Sequence, residues 1–179
     1  MSVKFSTIKF NNQVLYGVER NDGFINLSEK FSYWPSLREV IENDGLEMLE
    51  KEADKLNITH PLGSFSYEIP IPRPEKIICV GVNYPDRNEE YKDGQSAPKN
   101  MSLFVRFART FVGHKQSIIR PKASDQLDYE GEVAIVIGKT CRHISEKEAF
   151  NCIAGITICN EGTIRDWLRH AKFNVTQGK

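Results

Sequence analysis

Polar and apolar positions alternate near the start of the chain. Val3 to Phe10 and Gln13 to Glu19 keep the period of two that a half-buried strand shows, and Asn11-Asn12 between them predicts a tight hairpin turn. A third short strand is expected over Phe24 to Leu27, after the turn residues Asn21-Asp22-Gly23. The period then lengthens. Ser36 and Glu39 have capping-box spacing and predict a helix to about Asn43. Beyond the interruption at Asp44-Gly45, Leu46, Leu49, Ala53 and Leu56 recur on one helical face, with Glu47, Glu50, Lys51 and Asp54 opposite.

Prolines at 70, 72 and 74 remove backbone donors and favour extended chain, which sets an expected boundary near Pro72 between a small domain, 1–72, and a second, 73–179. Strands are expected over Lys76 to Val82, Ser102 to Phe107, Ser117 to Arg120, Glu130 to Ile137 and Cys152 to Asn160. A short helix is predicted from Ser145, with Glu148 completing a capping box, and another from Thr163 to Ala171. The polar stretch Arg87 to Asn100 reads as a lid or mobile segment. The sum is an α+β chain, mainly β.

Charge and composition remove whole classes of function. The 24 basic and 24 acidic residues cancel, so no net field draws the chain to a nucleic acid or an anionic membrane. Its longest apolar runs, Val133 to Ile137 and Ile153 to Ile158, are far short of the about 20 residues a spanning helix needs. Met1 to Phe10 lacks the basic start and apolar core of a signal peptide. The cysteines at 79, 141, 152 and 159 form no C-x-x-C pair, and His60, His114, His143 and His170 match no metal spacing. A reduced, cytoplasmic setting is expected.

Candidate chemistry concentrates in Leu127-Asp128-Tyr129-Glu130-Gly131-Glu132, which runs directly into Val133-Ala134-Ile135-Val136-Ile137. Side chains two apart on a strand share a face, so Glu130 and Glu132 project together, with Asp128 in line. If the strand enters a buried sheet, ionised neighbours cost several kcal/mol each unless something offsets them. Two readings are open on spacing alone: a hard divalent cation held by oxygen ligands, or an exposed strand end paired with Lys or Arg.

Lys76-Ile-Ile-Cys-Val-Gly-Val-Asn-Tyr84, Asp128-Tyr-Glu-Gly-Glu132 leading to Val136-Ile-Gly-Lys139, Ala154-Gly-Ile-Thr157 and Asn160-Glu-Gly-Thr-Ile-Arg-Asp166 together resemble, in order and spacing, the fumarylacetoacetate hydrolase family. The likeness runs from about Ile71 to Lys179 and is strongest to members of the 2-hydroxyhepta-2,4-diene-1,7-dioate isomerase type. It implies a mixed β-roll in which Mg2+, or Mn2+, is held by Glu130, Glu132 and Glu161. Most members have Asp at the third place, and Glu161 adds a methylene of reach. The roll's strands continue beyond the Gly-Lys motif on which this chain ends, so the resemblance predicts the N-terminal part of that roll, and a homodimer for the full-length protein.

The same resemblance implies substrates with adjacent carboxylate and keto or enol oxygens that chelate the ion, which then stabilises a developing enolate. Hydrolytic relatives carry a histidine and a glutamate at the places of Arg87 and Glu90. Arginine cannot act as a general base, which points away from hydrolysis and leaves Glu90 to move a proton. Arg106, Arg165, Arg87 and Lys179 are expected to hold substrate carboxylates or line the active site. The expected activity is an isomerase or decarboxylase of an unsaturated 2-keto or 2-hydroxy dicarboxylate from aromatic breakdown. Acylpyruvate-type hydrolysis and a catalytically inert fragment are the alternatives.

Overall fold

The computed structural model describes residues 3–81, 83–84, 99–170 and 175–179. In chain order the strands are β1 (Lys4–Phe10), β2 (Gln13–Arg20), β3 (Gly23–Asn26), β4 (His60–Pro61), β5 (Ser66–Tyr67), β6 (Ile78–Val80), β7 (Leu103–Val105), β8 (Leu127–Asp128), β9 (Gly131–Ile137), β10 (Ile153–Asn160) and β11 (Thr163–Ile164). Among the described residues the helices are α1 (Leu37–Glu42), α2 (Leu46–Ala53) and α3 (Glu146–Ala149), and short 3-10 turns occur at Ala108–Thr110, Phe150–Cys152, Trp167–Arg169 and Thr176–Gly178. The fold is α+β and mainly β. No helix among the described residues is long and apolar enough to cross a membrane.

Two compact units divide the chain: Met1–Pro74 with Phe111–Ile119 and Gly131–Asn160, and Glu75–Thr110 with Arg120–Glu130 and Glu161–Lys179. The first holds an antiparallel sheet in the order β4-β3-β2-β1-β5. Asn11 and Asn12 both adopt positive φ, 47° and 63°, the conformation a two-residue hairpin turn of matching twist requires. The sheet buries apolar groups on both faces. Tyr16, Val18, Ile25 and Leu27 pack with Leu37, Val40, Leu49 and Ala53 of the helices, while Ile8, Leu15 and Phe24 form a second cluster. Each fully buried side chain of this size contributes about 1.5–3 kcal/mol.

The expected breaks are realised locally. Ser36 Oγ accepts from the Arg38 N–H at 3.2 Å and donates to the Glu39 carboxylate at 2.5 Å, which starts α1. Asp44 at φ 53° ends that turn, and α2 begins after Gly45. Ser145 and Glu148 form a complete capping box on α3.

Also in the first unit, β9 and β10 pair antiparallel, with Cys159 opposite Glu132 and Asn160 opposite Gly131. Val133, Ile135 and Ile137 of β9 and Ile156 and Ile158 of β10 are exposed. The apolar run therefore builds an antiparallel pair with one uncovered face, where the sequence pattern points to a buried sheet.

Among its described residues, the second unit holds two short ladders. In one, Ile78, Cys79 and Val80 of β6 face Val105, Phe104 and Leu103 of β7. In the other, Asp128 and Leu127 of β8 face Thr163 and Ile164 of β11. Here the structure corrects the expected helix from Thr163 to Ala171: Thr163 and Ile164 are paired strand, only Trp167–Arg169 forms a 3-10 turn, and Ala171 lies outside the described residues. Ladder pairing by two β-branched residues outweighs the local helical pattern. Residues 117–120 form no strand, and Pro121 next to them removes a ladder donor. The strand expected from Lys76 to Val82 is paired over Ile78–Val80, and Val82 is outside the described residues.

Candidate metal and anion centre

The chemistry-bearing side chains of the second unit gather around Glu130 and Glu161. The Glu161 N–H donates to the Glu130 carbonyl at 2.8 Å, so the two residues stand opposite each other on antiparallel segments. One carboxylate oxygen of each lies within 4.8 Å of the other. Glu161 is only 6 % exposed. Two like charges so placed repel, and burial strips their hydration, so cations are required nearby.

Three cations meet that demand. Lys179 Nζ is 2.8 Å from Glu130 Oε2 and 3.5 Å from Glu161 Oε1, and its side chain is buried. Arg106 Nη1 lies 3.4 Å from Glu161 Oε1 and donates to the Gly162 carbonyl at 3.3 Å. Arg165 spans two carboxylates, with Nε 3.0 Å from Asp128 Oδ2 and Nη1 2.7 Å from Glu130 Oε1. Burial pushes the Glu130 carboxyl up, but the Lys179 hydrogen bond and charge, the Thr163 hydroxyl and Arg165 outweigh it and hold the group below its ordinary value.

Strand pairing accounts for the placement. Cys79 stands opposite Phe104, and Phe104 and Arg106, two apart, share one face of the extended chain. Lys179 Nζ sits 5.0 Å from the centre of the Phe104 ring, a favourable cation–π distance. The 3-10 turn Thr176–Gly178 that delivers Lys179 is pinned by Thr176 Oγ1, which donates to the Val105 carbonyl at 2.9 Å, and by Gln177, which donates to the Trp167 carbonyl at 3.0 Å. Cys79 is no thiolate: burial first, then the charge of Glu161 and a hydrogen bond to it, pushes its thiol up to about 12.

The structure thus brings together Glu130, Glu161, Arg106, Arg165 and Lys179 from the residues singled out in the sequence. Glu132 belongs to β9 in the first unit, half-buried and two residues along from Glu130. Asp128 is exposed and tied to Arg165. Arg87 and Glu90 lie outside the described residues. Thr163 is a further member of the centre, fully buried with its hydroxyl 2.9 Å from Glu130 Oε1. Its spacing of two from Glu161 signals a shared strand face, and the expected helix hid that signal.

A hard divalent cation fits these groups. The donors are carboxylate oxygens, close together and shielded from water, which suits Mg2+ or Mn2+ better than zinc with its nitrogen and sulfur preference.

Residues 76–179 match the family described as fumarylacetoacetate (FAA) hydrolase, C-terminal. Among curated proteins, the chain is 38 % identical over 113 residues to "Oxaloacetate tautomerase Fahd2a, mitochondrial" of Rattus norvegicus, a match covering 63 % of this chain and 36 % of that protein. The chain thus spans about a third of that relative's length. Among solved structures, a probable 2-hydroxyhepta-2,4-diene-1,7-dioate isomerase from Mycobacterium abscessus superposes with a TM-score of 0.74 at 28 % identity, over 98 % of this chain and 58 % of that one. Maleylpyruvate hydrolase from Sphingobium sp. SYK-6, solved with manganese (II) ion and pyruvate, shares the fold at a TM-score of 0.74 and 22 % identity, over 97 % of this chain and 62 % of that one. These neighbours bear out the mixed β-roll, of which this chain corresponds to part.

Proposed function

Because the chain belongs to the fumarylacetoacetate hydrolase family, we propose that it forms part of a divalent-metal-dependent isomerase that moves a proton next to the keto group of a small 2-oxo dicarboxylate. The observation that carries this reading is the opposed, buried pair Glu130 and Glu161 with Lys179 and Arg106 against it. The names of the relatives, an oxaloacetate tautomerase and a probable 2-hydroxyhepta-2,4-diene-1,7-dioate isomerase, support it, since both describe keto–enol or double-bond isomerisation of dicarboxylates. Unsaturated 2-keto or 2-hydroxy dicarboxylates of aromatic breakdown and oxaloacetate are the two substrate types within this class.

Glu130, Glu161 and Glu132, which shares a strand face with Glu130, are the proposed ligands of Mg2+ or Mn2+. The chemistry such an ion supplies is Lewis-acid polarisation of the keto oxygen. The Arg106 guanidinium presents a planar fork suited to a substrate carboxylate. Lys179 supplies a second buried cation for developing negative charge. Glu90 keeps its proposed role as the group that moves the proton, and Arg87 as a further carboxylate holder. Decarboxylation uses the same polarised keto oxygen. Hydrolysis needs a water-activating base, and the resemblance implies that Arg87 takes the place of the histidine that would supply it.

A reducing compartment is proposed for the protein, consistent with free cysteines and with either cytoplasm or the mitochondrial setting in the rat relative's name. A homodimer is the proposed assembly, without nucleic acid or membrane as partner.

Thermal melting with and without Mn2+ tests the centre, and an oxaloacetate tautomerisation assay by enol absorbance tests the reaction. Mn2+ is expected to raise the melting temperature of the wild-type chain and leave Glu130→Gln unmoved. A wild-type chain indifferent to Mn2+ would overturn the metal reading in favour of an inert fragment.

A further inference from the structure

We propose that Thr163 is a positioning residue of this centre, its buried hydroxyl joining Arg165 to anchor Oε1 of Glu130 so that Oε2, which Lys179 holds in this structure, is the oxygen a bound cation would take. The inference rests on the metal reading above and goes beyond it to the choice of ion.

Thr163 is fully buried, and its Oγ1 is 2.9 Å from Glu130 Oε1 and 3.0 Å from the Glu161 carbonyl oxygen. One hydroxyl therefore touches both proposed ligands, the side chain of one and the main chain of the other. It carries a single proton, and a charged acceptor makes the stronger bond, so the proton goes to the carboxylate. Arg165 Nη1 approaches the same Oε1 at 2.7 Å, while Lys179 lies 2.8 Å from Oε2 on the other side. Two donors thus hold Oε1, and Oε2 has Lys179, whose ammonium a cation bound there would displace.

That division bears on ion choice. Ca2+ takes six to eight oxygens and readily captures a carboxylate through both atoms, whereas Mg2+ and its small octahedral analogues take single oxygens in fixed directions. A Glu130 whose Oε1 is engaged by two donors offers one direction only, which favours the small ion. Loss of the Thr163 hydroxyl frees the carboxylate to rotate. Removal of such an outer-shell partner typically weakens metal binding about 10–100-fold.

The test is direct titration of the chain with Mn2+ and with Ca2+, by calorimetry or by the electron paramagnetic resonance of free Mn2+, on wild type, Thr163→Val, Thr163→Ser and Glu130→Gln. The expected result is a loss of about tenfold or more in Mn2+ affinity for Thr163→Val, with a smaller preference for Mn2+ over Ca2+. Thr163→Ser keeps the hydroxyl and loses the methyl, so near wild-type Mn2+ affinity is expected even where its melting temperature falls. Equal losses of affinity in Thr163→Val and Thr163→Ser would overturn the proposal by assigning the effect to packing. Should Thr163→Val not fold, Thr163→Ala takes its place: a loss of about tenfold or more there with affinity retained in Thr163→Ser supports the hydroxyl's role, and equal affinity in the two overturns it. Wild-type affinity in Thr163→Val with loss in Glu130→Gln would sink the positioning role and leave the metal centre standing. Failure of wild type to bind Mn2+ would remove both.

Discussion

Glu161 stands directly opposite Glu130, its main-chain N–H 2.8 Å from the Glu130 carbonyl oxygen. The relation follows from strand register: Cys159 faces Glu132, Asn160 faces Gly131, and the next residue of each segment is a glutamate. Opposed like charges are destabilising on any antiparallel pair, so this register is tolerated only with cations close by. Lys179, Arg106 and Arg165 supply them.

Glu161→Gln should therefore destabilise the chain in the absence of metal, despite removing a repulsion. It removes the carboxylate 3.4 Å from Arg106 Nη1, and breaking such a buried pair from one side costs about 3–5 kcal/mol. Urea denaturation in chelator measures this, and an unchanged midpoint would show that Arg106 is compensated elsewhere.

Lys179→Met removes the strongest influence opposing the burial of Glu130. In wild type the depressed Glu130 value contributes stability above the unfolded carboxylate value, and that contribution is lost as pH falls through the folded one. The stability gap between wild type and Lys179→Met, measured in chelator, is expected to be widest near neutrality and to close in acid. A gap independent of pH would mean the effect is packing against Phe104.

Gly178 is buried where a Cβ would lie 3.0 Å from both the Ile164 carbonyl oxygen and the Leu168 nitrogen. Gly178→Ala must push the turn that delivers Lys179 away from these backbone atoms. A loss of about 1–3 kcal/mol is expected, typical of overpacking. Weaker Mn2+-induced stabilisation should accompany it, read from melting curves with and without the ion.

Tyr16 reports on the first unit. Its hydroxyl donates within reach of the Phe31 and Trp34 carbonyls at 2.8 and 2.9 Å, and burial, with Tyr33 and Glu39 nearby, pushes its pKa up to about 12. A raised folded value means stability is fully present below the unfolded value of 10.0 and falls as pH rises toward about 12. Tyr16→Phe should cost about 1–2 kcal/mol at neutral pH through the lost hydrogen bond. Its stability should then decline less steeply in that alkaline window, which denaturant curves at pH 9 to about 11.5 can follow.

Much of this protein follows from local pattern. Alternation with Asn11-Asn12 determines the first hairpin, Ser36 and Ser145 determine helix starts, and the spacing of Glu130 and Glu132 determines a shared face, because each depends on backbone geometry within a few residues. The tertiary structure decided the rest. Thr163 and Ile164 become strand because Asp128 and Leu127, far away in sequence, offer a ladder. Cys79, which reads as a core thiol, comes to lie at Glu161 through the pairing of β6 with β7. Glu161, Arg106 and Lys179 meet only because segments distant in sequence pair across the second unit. Charge compensation in a buried cluster depends on distances of a few ångströms between remote residues, and no local periodicity encodes those distances.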